Sequence, residues 1–172
     1  HLRYLKGHDR VVQNLPKDFD LVILVDCAEQ VLLEKTLRNP EAARFKKVPV
    51  LVLDHHQDEI NMPFKTVNLI DETAVSAGAV IFNLAKENKL KVSKDTATFI
   101  LASILSDTLG LSLDFVKADD FRMVADLTEL GASMSEIDQG RRELNKRPQF
   151  ITKYKAELLG RVEYLLDGRL AY

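Results

Sequence analysis

Two apolar runs, each closed by an acid, constrain this chain more than anything else in it. Asp20-Leu21-Val22-Ile23-Leu24-Val25-Asp26 holds five consecutive apolar residues, and Val48 to Leu53 forms a second run ending at Asp54. Neither run alternates polar with apolar, so each reads as a strand buried on both faces. Pro49 fits only near the start of the second strand, because proline has no N–H for the ladder. Residues 29–38 carry a short helical pattern stopped by Asn39-Pro40. Strand, helix and strand within about 35 residues make a βαβ unit with a right-handed crossover. Lys65 to Ile70 reads as a third, shorter strand. Residues 1–19 are mixed and polar, a loop with one helical turn closed by Pro16.

The remainder is helical. Thr73 to Asn88 forms a helix whose small residues Ser76-Ala77-Gly78-Ala79 permit close packing. Ser93 caps the next helix, with Asp95 in its first turn. Phe99, Ile100, Leu101, Ile104 and Leu105 make that helix apolar nearly all round, which predicts burial. Residues 117–130 place Phe121, Val124, Leu127 and Leu130 on one stripe, and Gly131 ends the helix. Ser133 and Glu136 form a capping box for a short helix. Residues 148–166 form the last long helix, with Tyr154, Leu158, Val162 and Leu165 aligned. The expected fold is α/β: a three-layer, Rossmann-like parallel sheet flanked by helices, followed by a helical segment. Residues 1–172 make a single, partial domain.

Composition narrows the function classes. The 24 Lys and Arg residues against 26 Asp and Glu leave a net charge of −2, which argues against a strongly basic nucleic-acid module. No apolar run approaches the ~20 residues of a membrane span. A single Cys27 allows no internal disulfide and fits a reducing, cytoplasmic compartment. No secretory signal is visible.

In open α/β sheets, ligands bind beyond the carboxyl ends of the strands. Asp26 ends the first strand, and Asp54-His55-His56 ends the second. Carboxylates and imidazoles converging at one sheet edge are ligands for a divalent transition ion. Adjacent strand residues face opposite ways. His55 and His56 therefore differ in role if the chain stays extended, and both face the cleft if it turns after Asp54. Asp107 follows the apolar helix, where a carboxylate opposes the helix dipole unless a cation offsets it.

Other chemistries lack their parts. There is no GxGxxG after a strand, no GxxxxGK[ST] loop and no CxxC. Asp26 beside Cys27 would raise the thiol pKa, against a nucleophilic role. Ser103 and Ser106 read as bonding their own backbone. Arg141-Arg142 with Lys146 and Arg147 reads first as a solvated helix face and second as a phosphate contact.

Val-Asp-Cys at 25–27, Leu-Asp-His-His at 53–56 and Ile-Leu-Ser-Asp-Thr at 104–108 together resemble the second, third and fourth motifs of the DHH phosphoesterase family. Asn14-Leu15-Pro16, the Ser76 region and Glu129-Leu130-Gly131-Ala132 are similar to the family too. That family includes RecJ-type exonucleases, NrnA-type oligoribonucleases that also act on phosphoadenosine phosphate, cyclic-di-AMP phosphodiesterases and family II inorganic pyrophosphatases. The resemblance implies two-metal, in-line phosphoester hydrolysis with Mn²⁺, or with Mg²⁺ or Zn²⁺, the ions about 3.5–4 Å apart. By motif, Asp26 bridges the metals and His55 and Asp107 ligate one of them. His56 contacts the substrate phosphate, and Asp54 orients a ligand imidazole; these two are the catalytic candidates.

The family's first motif, a His followed by Asp-x-Asp at a strand end, does not occur in residues 1–19, and His8-Asp9 does not end an apolar strand. The chain opens on His1 rather than Met, and Asp167-Gly168-Arg169-Leu170-Ala171 resembles the start of the family's second domain. The expectation is a fragment of a longer enzyme, with 167–172 beginning a C-terminal substrate domain, weak binding of one metal and little hydrolysis. The NrnA-like branch leads, acting on a phosphate-containing small molecule or short oligonucleotide. The alternatives are a family II pyrophosphatase, whose fourth motif also reads Ser-Asp-Thr-Leu, and a non-catalytic interaction or regulatory module. Apolar surface left bare by a missing strand invites a homodimer.

Overall fold

The computed structural model describes residues 2–57, 60–146, 149–165 and 170–171. Strands β1 (Val22–Val25), β2 (Val50–Asp54) and β3 (Val67–Ile70) form a parallel sheet in the order β1-β2-β3. Val22 pairs with Val50 and Val25 with Leu53, while Leu51 pairs with Val67 and Asp54 with Ile70. This register sets Asp26 and Asp54 side by side at the carboxyl edge, and Pro49 sits one residue before β2. The α/β expectation holds: an open parallel sheet flanked by helices.

The sheet is covered unequally. On one face, Leu24, Val50 and Val52 pack with Leu33 and Phe45 from the β1–β2 connection. Phe45 meets Phe19 and Phe64 edge-on, at centroid distances of 5.9 and 5.3 Å. That connection is a chain of short helical turns around α1 (Glu34–Leu37). Asn39-Pro40 stops the first and also opens the next, because the Asn39 side chain accepts from the Glu41 amide. The other face is bare at β1, where Leu21, Ile23 and Val25 are about half exposed. The expectation of a strand buried on both sides therefore fails for β1, since it is an edge strand with one face uncovered.

The second core lies among the helices. Helices α2 (Ala77–Glu87) and α3 (Lys94–Asp107) pack closely, and α4 (Ala118–Glu129) and α5 (Met134–Leu144) close around α3. The α2 helix begins at Ala77, later than its pattern suggested, because the Ser76 hydroxyl accepts from the Ala79 amide and caps it. Ser93 and Ser133 cap α3 and α5 in the same way. Leu101, Ile104 and Leu127 are completely buried. Gly131 ends α4 with a φ of 95°, as expected. Phe121 and Leu130, placed by periodicity on the buried stripe of α4, are instead exposed at its ends. The α2–α3 contact depends on Gly78: a Cβ there would meet the Ser103 side chain at 2.8 Å. Ser103 does not bond its own backbone; its hydroxyl accepts from the Gly78 amide at 3.3 Å.

The last helix differs from its sequence pattern. Helix α6 (Gln149–Leu159) ends early, and β4 (Tyr164–Leu165) pairs antiparallel with β5 (Leu170–Ala171). Tyr154 and Leu158 on α6 are exposed. His1, Arg147, Asp167-Gly168-Arg169 and Tyr172 lie outside the described residues.

The packing around α3 gives two expected outcomes. Leu101→Ala should lower unfolding free energy by about 2–5 kcal/mol, since the cavity cannot collapse between four helices. Gly78→Val should cost about 1–3 kcal/mol through overpacking against Ser103. Guanidinium denaturation followed by circular dichroism measures both. A Phe121→Ala control should stay within roughly 0.5 kcal/mol of the parent.

Candidate metal centre

Asp26 follows β1 directly. Its amide donates to the Leu53 carbonyl at 3.0 Å, adding one bond to the ladder, and its φ of 58° then turns the chain out of the sheet. A non-glycine residue in this left-handed region costs on the order of 1 kcal/mol or more. The turn aims the half-exposed Asp26 carboxylate at the neighbouring strand end. Its Oδ1 lies 3.5 Å from His55 Nε2 and 3.7 Å from His56 Nδ1.

Asp54, at the end of the central strand, is completely buried. Its Oδ1 accepts from the His55 amide at 2.7 Å, the His56 amide at 3.1 Å and His56 Nδ1 at 2.7 Å. These bonds fold the chain back immediately after β2, so both imidazoles face the same side. Their ring centroids are 4.3 Å apart. Burial by itself would push the Asp54 carboxyl up; the His56 ring and the two amides outweigh it and hold the group below the ordinary carboxylate value.

The two histidines are oriented by different partners. The ionised Asp54 can only accept, so His56 Nδ1 carries the hydrogen and proton exchange with a ligand falls to Nε2. His55 Nδ1 lies 3.3 Å from the Ala74 carbonyl, which also only accepts. His55 Nε2 is thereby left with its lone pair towards Asp26, the tautomer a metal needs. Asp54 holds the His56 imidazole, and a backbone carbonyl just before α2 holds that of His55. No side-chain motif could have revealed Ala74, because any residue supplies a carbonyl.

Asp26, Asp54, His55 and His56 each offer one donor atom, all within 4.8 Å of one another. Asp54 Oδ2 is buried and has no hydrogen-bond partner. A buried carboxylate oxygen without a partner is costly, and a cation beside it removes the cost. Asp107, half-buried at the end of α3, stands outside this tight group but within its field. Burial, and then the Asp26 charge, push its carboxyl above the ordinary value, while His55 and His56 pull it down. Two carboxylates repelling each other beside two neutral-capable imidazoles form a hard and borderline donor set that fits Mn²⁺ or Zn²⁺.

Cys27 is buried behind Asp26. Burial, then Asp54 and Asp26, raise its thiol pKa, which argues against a nucleophilic role. A cavity of about 630 Å³ opens beside the cluster, lined by Asp26, Asp107 and Phe99. Residues of the N-terminal segment, including Leu2, Leu5, His8 and Arg10, line it as well. Their composition is too mixed to mark them in the sequence. Among the described residues, no helix is long and apolar enough to cross a membrane.

Residues 1–104 match the family model described as "DHH family, N-terminal domain". A probable manganese-dependent inorganic pyrophosphatase of Streptococcus equi subsp. equi is 33% identical over 111 residues, spanning 63% of this chain and 34% of that protein. A protein of the same description from Streptococcus pyogenes serotype M5 is 30% identical over 138 residues, 77% of this chain and 43% of its own length. The chain therefore spans about a third to two fifths of the length of these relatives. Among solved structures, an exopolyphosphatase-related protein from Bacteroides fragilis superposes with a TM-score of 0.74 at 14% identity, covering 96% of this chain and 50% of that one, which shows the shared fold. With the matched region running through β1, β2 and the whole Asp54-His55-His56 turn, the chain belongs to the DHH family.

Proposed function

We propose that this chain is the metal-binding part of a phosphoester hydrolase acting on a phosphate-containing small molecule or short oligonucleotide. The observation that carries the reading is the convergence of Asp26, Asp54, His55 and His56 within 4.8 Å at one sheet edge. Asp26 and His55 Nε2 would hold a divalent ion, with Asp107 completing its shell from α3. Such an ion, Mn²⁺ by the names of the relatives, supplies a Lewis acid for the phosphoryl oxygen and an acidified water. His56, fixed by Asp54, presents Nε2 to the phosphate and can hold or deliver a proton there. Asp54 keeps that ring in one tautomer and keeps the turn closed. The lone buried thiol of Cys27 is consistent with a cytoplasmic setting.

A second reading, inorganic pyrophosphatase, is favoured by the descriptions of the streptococcal relatives. The cavity beside the cluster favours the first, because its volume and apolar lining suit an organic phosphate better than a bare diphosphate. The uncovered face of β1, with Leu21, Ile23 and Val25, is apolar surface that a homodimer would bury.

Calorimetric titration of the chain with Mn²⁺ should give one weak site, lost in His55→Ala, with little turnover of bis-p-nitrophenyl phosphate. Absence of binding in the parent chain would sink the metal reading. The sign of the pH dependence follows from the carboxylates. Asp54 lies below its ordinary value, so its stabilising contribution is present at neutral pH and is lost as pH falls through the folded-state value. Asp107 lies above its ordinary value, so its ionisation costs stability at neutral pH and a bound cation relieves that cost. Mn²⁺ should therefore raise Tm at pH 7, and the increment should shrink at pH 5, where protons compete with the ion for the raised Asp107 carboxyl. Scanning calorimetry at pH 5 and pH 7 measures it.

A further inference from the structure

The cavity beside the metal centre is lined by side chains of both charges. Asp26 and Asp107 line it, and so do His8 and Arg10, from the single 3-10 turn His8–Arg10. Lys6 lines it too, but its ammonium is committed to Asp95 at 3.0 Å. Among the described residues, the Arg10 guanidinium makes no ion pair and no hydrogen bond. It is nevertheless placed: the side chain lies back over Gly7, with Nη2 only 2.8 Å and Nε 3.0 Å from where a Gly7 Cβ would stand. Gly7 has a φ of 88°, a backbone conformation that favours a residue without a side chain.

An arginine that lines the same cavity as two carboxylates and pairs with neither is arranged for a third party. A ligand that meets both the metal centre and Arg10 needs two anionic groups. One is a phosphoryl group at the Asp26–His55 centre, where a bound cation reverses the sign. The other is an anion within reach of the planar fork, which matches phosphate in a bidentate manner. We infer that Arg10, seated by Gly7, is a substrate-positioning residue that binds a second phosphate group, distinct from the one at the metal centre. The inference rests on the phosphoester-hydrolase reading of the cluster. It assigns specificity to the N-terminal segment: a ligand with one phosphate fills only the metal centre, and a ligand with two is held at the metal centre and at Arg10.

The test titrates the Mn²⁺-loaded chain with three probes: inorganic phosphate, imidodiphosphate, and a 5′-phosphorylated dinucleotide with a phosphorothioate linkage. Arg10→Ala should weaken at least one of the two-phosphate probes by roughly 10- to 100-fold, the loss of one charge-assisted contact. It should leave phosphate and Mn²⁺ affinities unchanged. Arg10→Lys should recover part of the loss, keeping the charge without the fork. Gly7→Ala should weaken the same probe while retaining Arg10, and the Tm of each variant shows that the fold persists. Equal affinities of parent and Arg10→Ala for every probe overturn the assignment. So does a parent chain that takes Mn²⁺ but no two-phosphate probe. A parent that takes no Mn²⁺ overturns the hydrolase reading itself, and the assignment falls with it. The identity of the weakened probe states whether the second phosphate is adjacent to the first or lies across an organic linker.

Discussion

A single carboxylate oxygen, Asp54 Oδ1, gathers the amides of His55 and His56 and the ring of His56 at the end of the central strand. The rest of the site depends on that arrangement. A strand carried on past Asp54 would send its next two side chains to opposite faces. Capturing both amides with one buried acceptor folds the chain instead, and the two imidazoles arrive on the same side. The location at the strand end explains why the acceptor is an acid. Two amides and a ring N–H converge there in a buried place, and a charge-assisted acceptor repays its desolvation only with several donors.

The neighbouring strands supply what this turn needs. Parallel pairing brings Asp26 to the same level, and its left-handed backbone aims the carboxylate inward. Helix α3 then carries Asp107 towards the same point from the second core. That delivery depends on close approach, since Gly78 lets α2 lie against α3 at Ser103. Ala74, just before α2, fixes the His55 ring in turn. The helical core and the sheet thus meet at the metal centre, and the packing of small residues far from it sets the position of its ligands.

The site concentrates unfavourable terms. Asp26 is strained, Asp107 is repelled by Asp26 at the negative end of a helix, and one oxygen of Asp54 is buried without a partner. The last two would be relieved by one divalent cation. A fold that tolerates them together trades stability for affinity, which is the usual character of a functional site.

Much of this was legible from the residues alone. The runs at 21–25 and 48–53 specify parallel strands because uninterrupted apolar residues have few other uses, and the acids at their ends mark the ligand edge. Ser93, Ser133 and Gly131 marked helix ends because capping is local chemistry, whereas Ser76 read as helix interior and proved to be the cap of α2. The three motifs carried the family. Burial was not local: β1 has the same apolar run as a central strand, and only its place at the sheet edge leaves Ile23 and Val25 exposed. Periodicity likewise put Phe121 on the buried stripe of α4, which runs through Asp120, Val124 and Leu127 instead, and extended α6 into residues that pair as β4 and β5. Sequence by itself determined which residues could bind a cation, since donor type belongs to the side chain. Only the tertiary structure decided which donor orients which. The Ala74 carbonyl, the shared oxygen of Asp54 and the seat of Arg10 over Gly7 are relations between distant or backbone atoms, and no residue type encodes them.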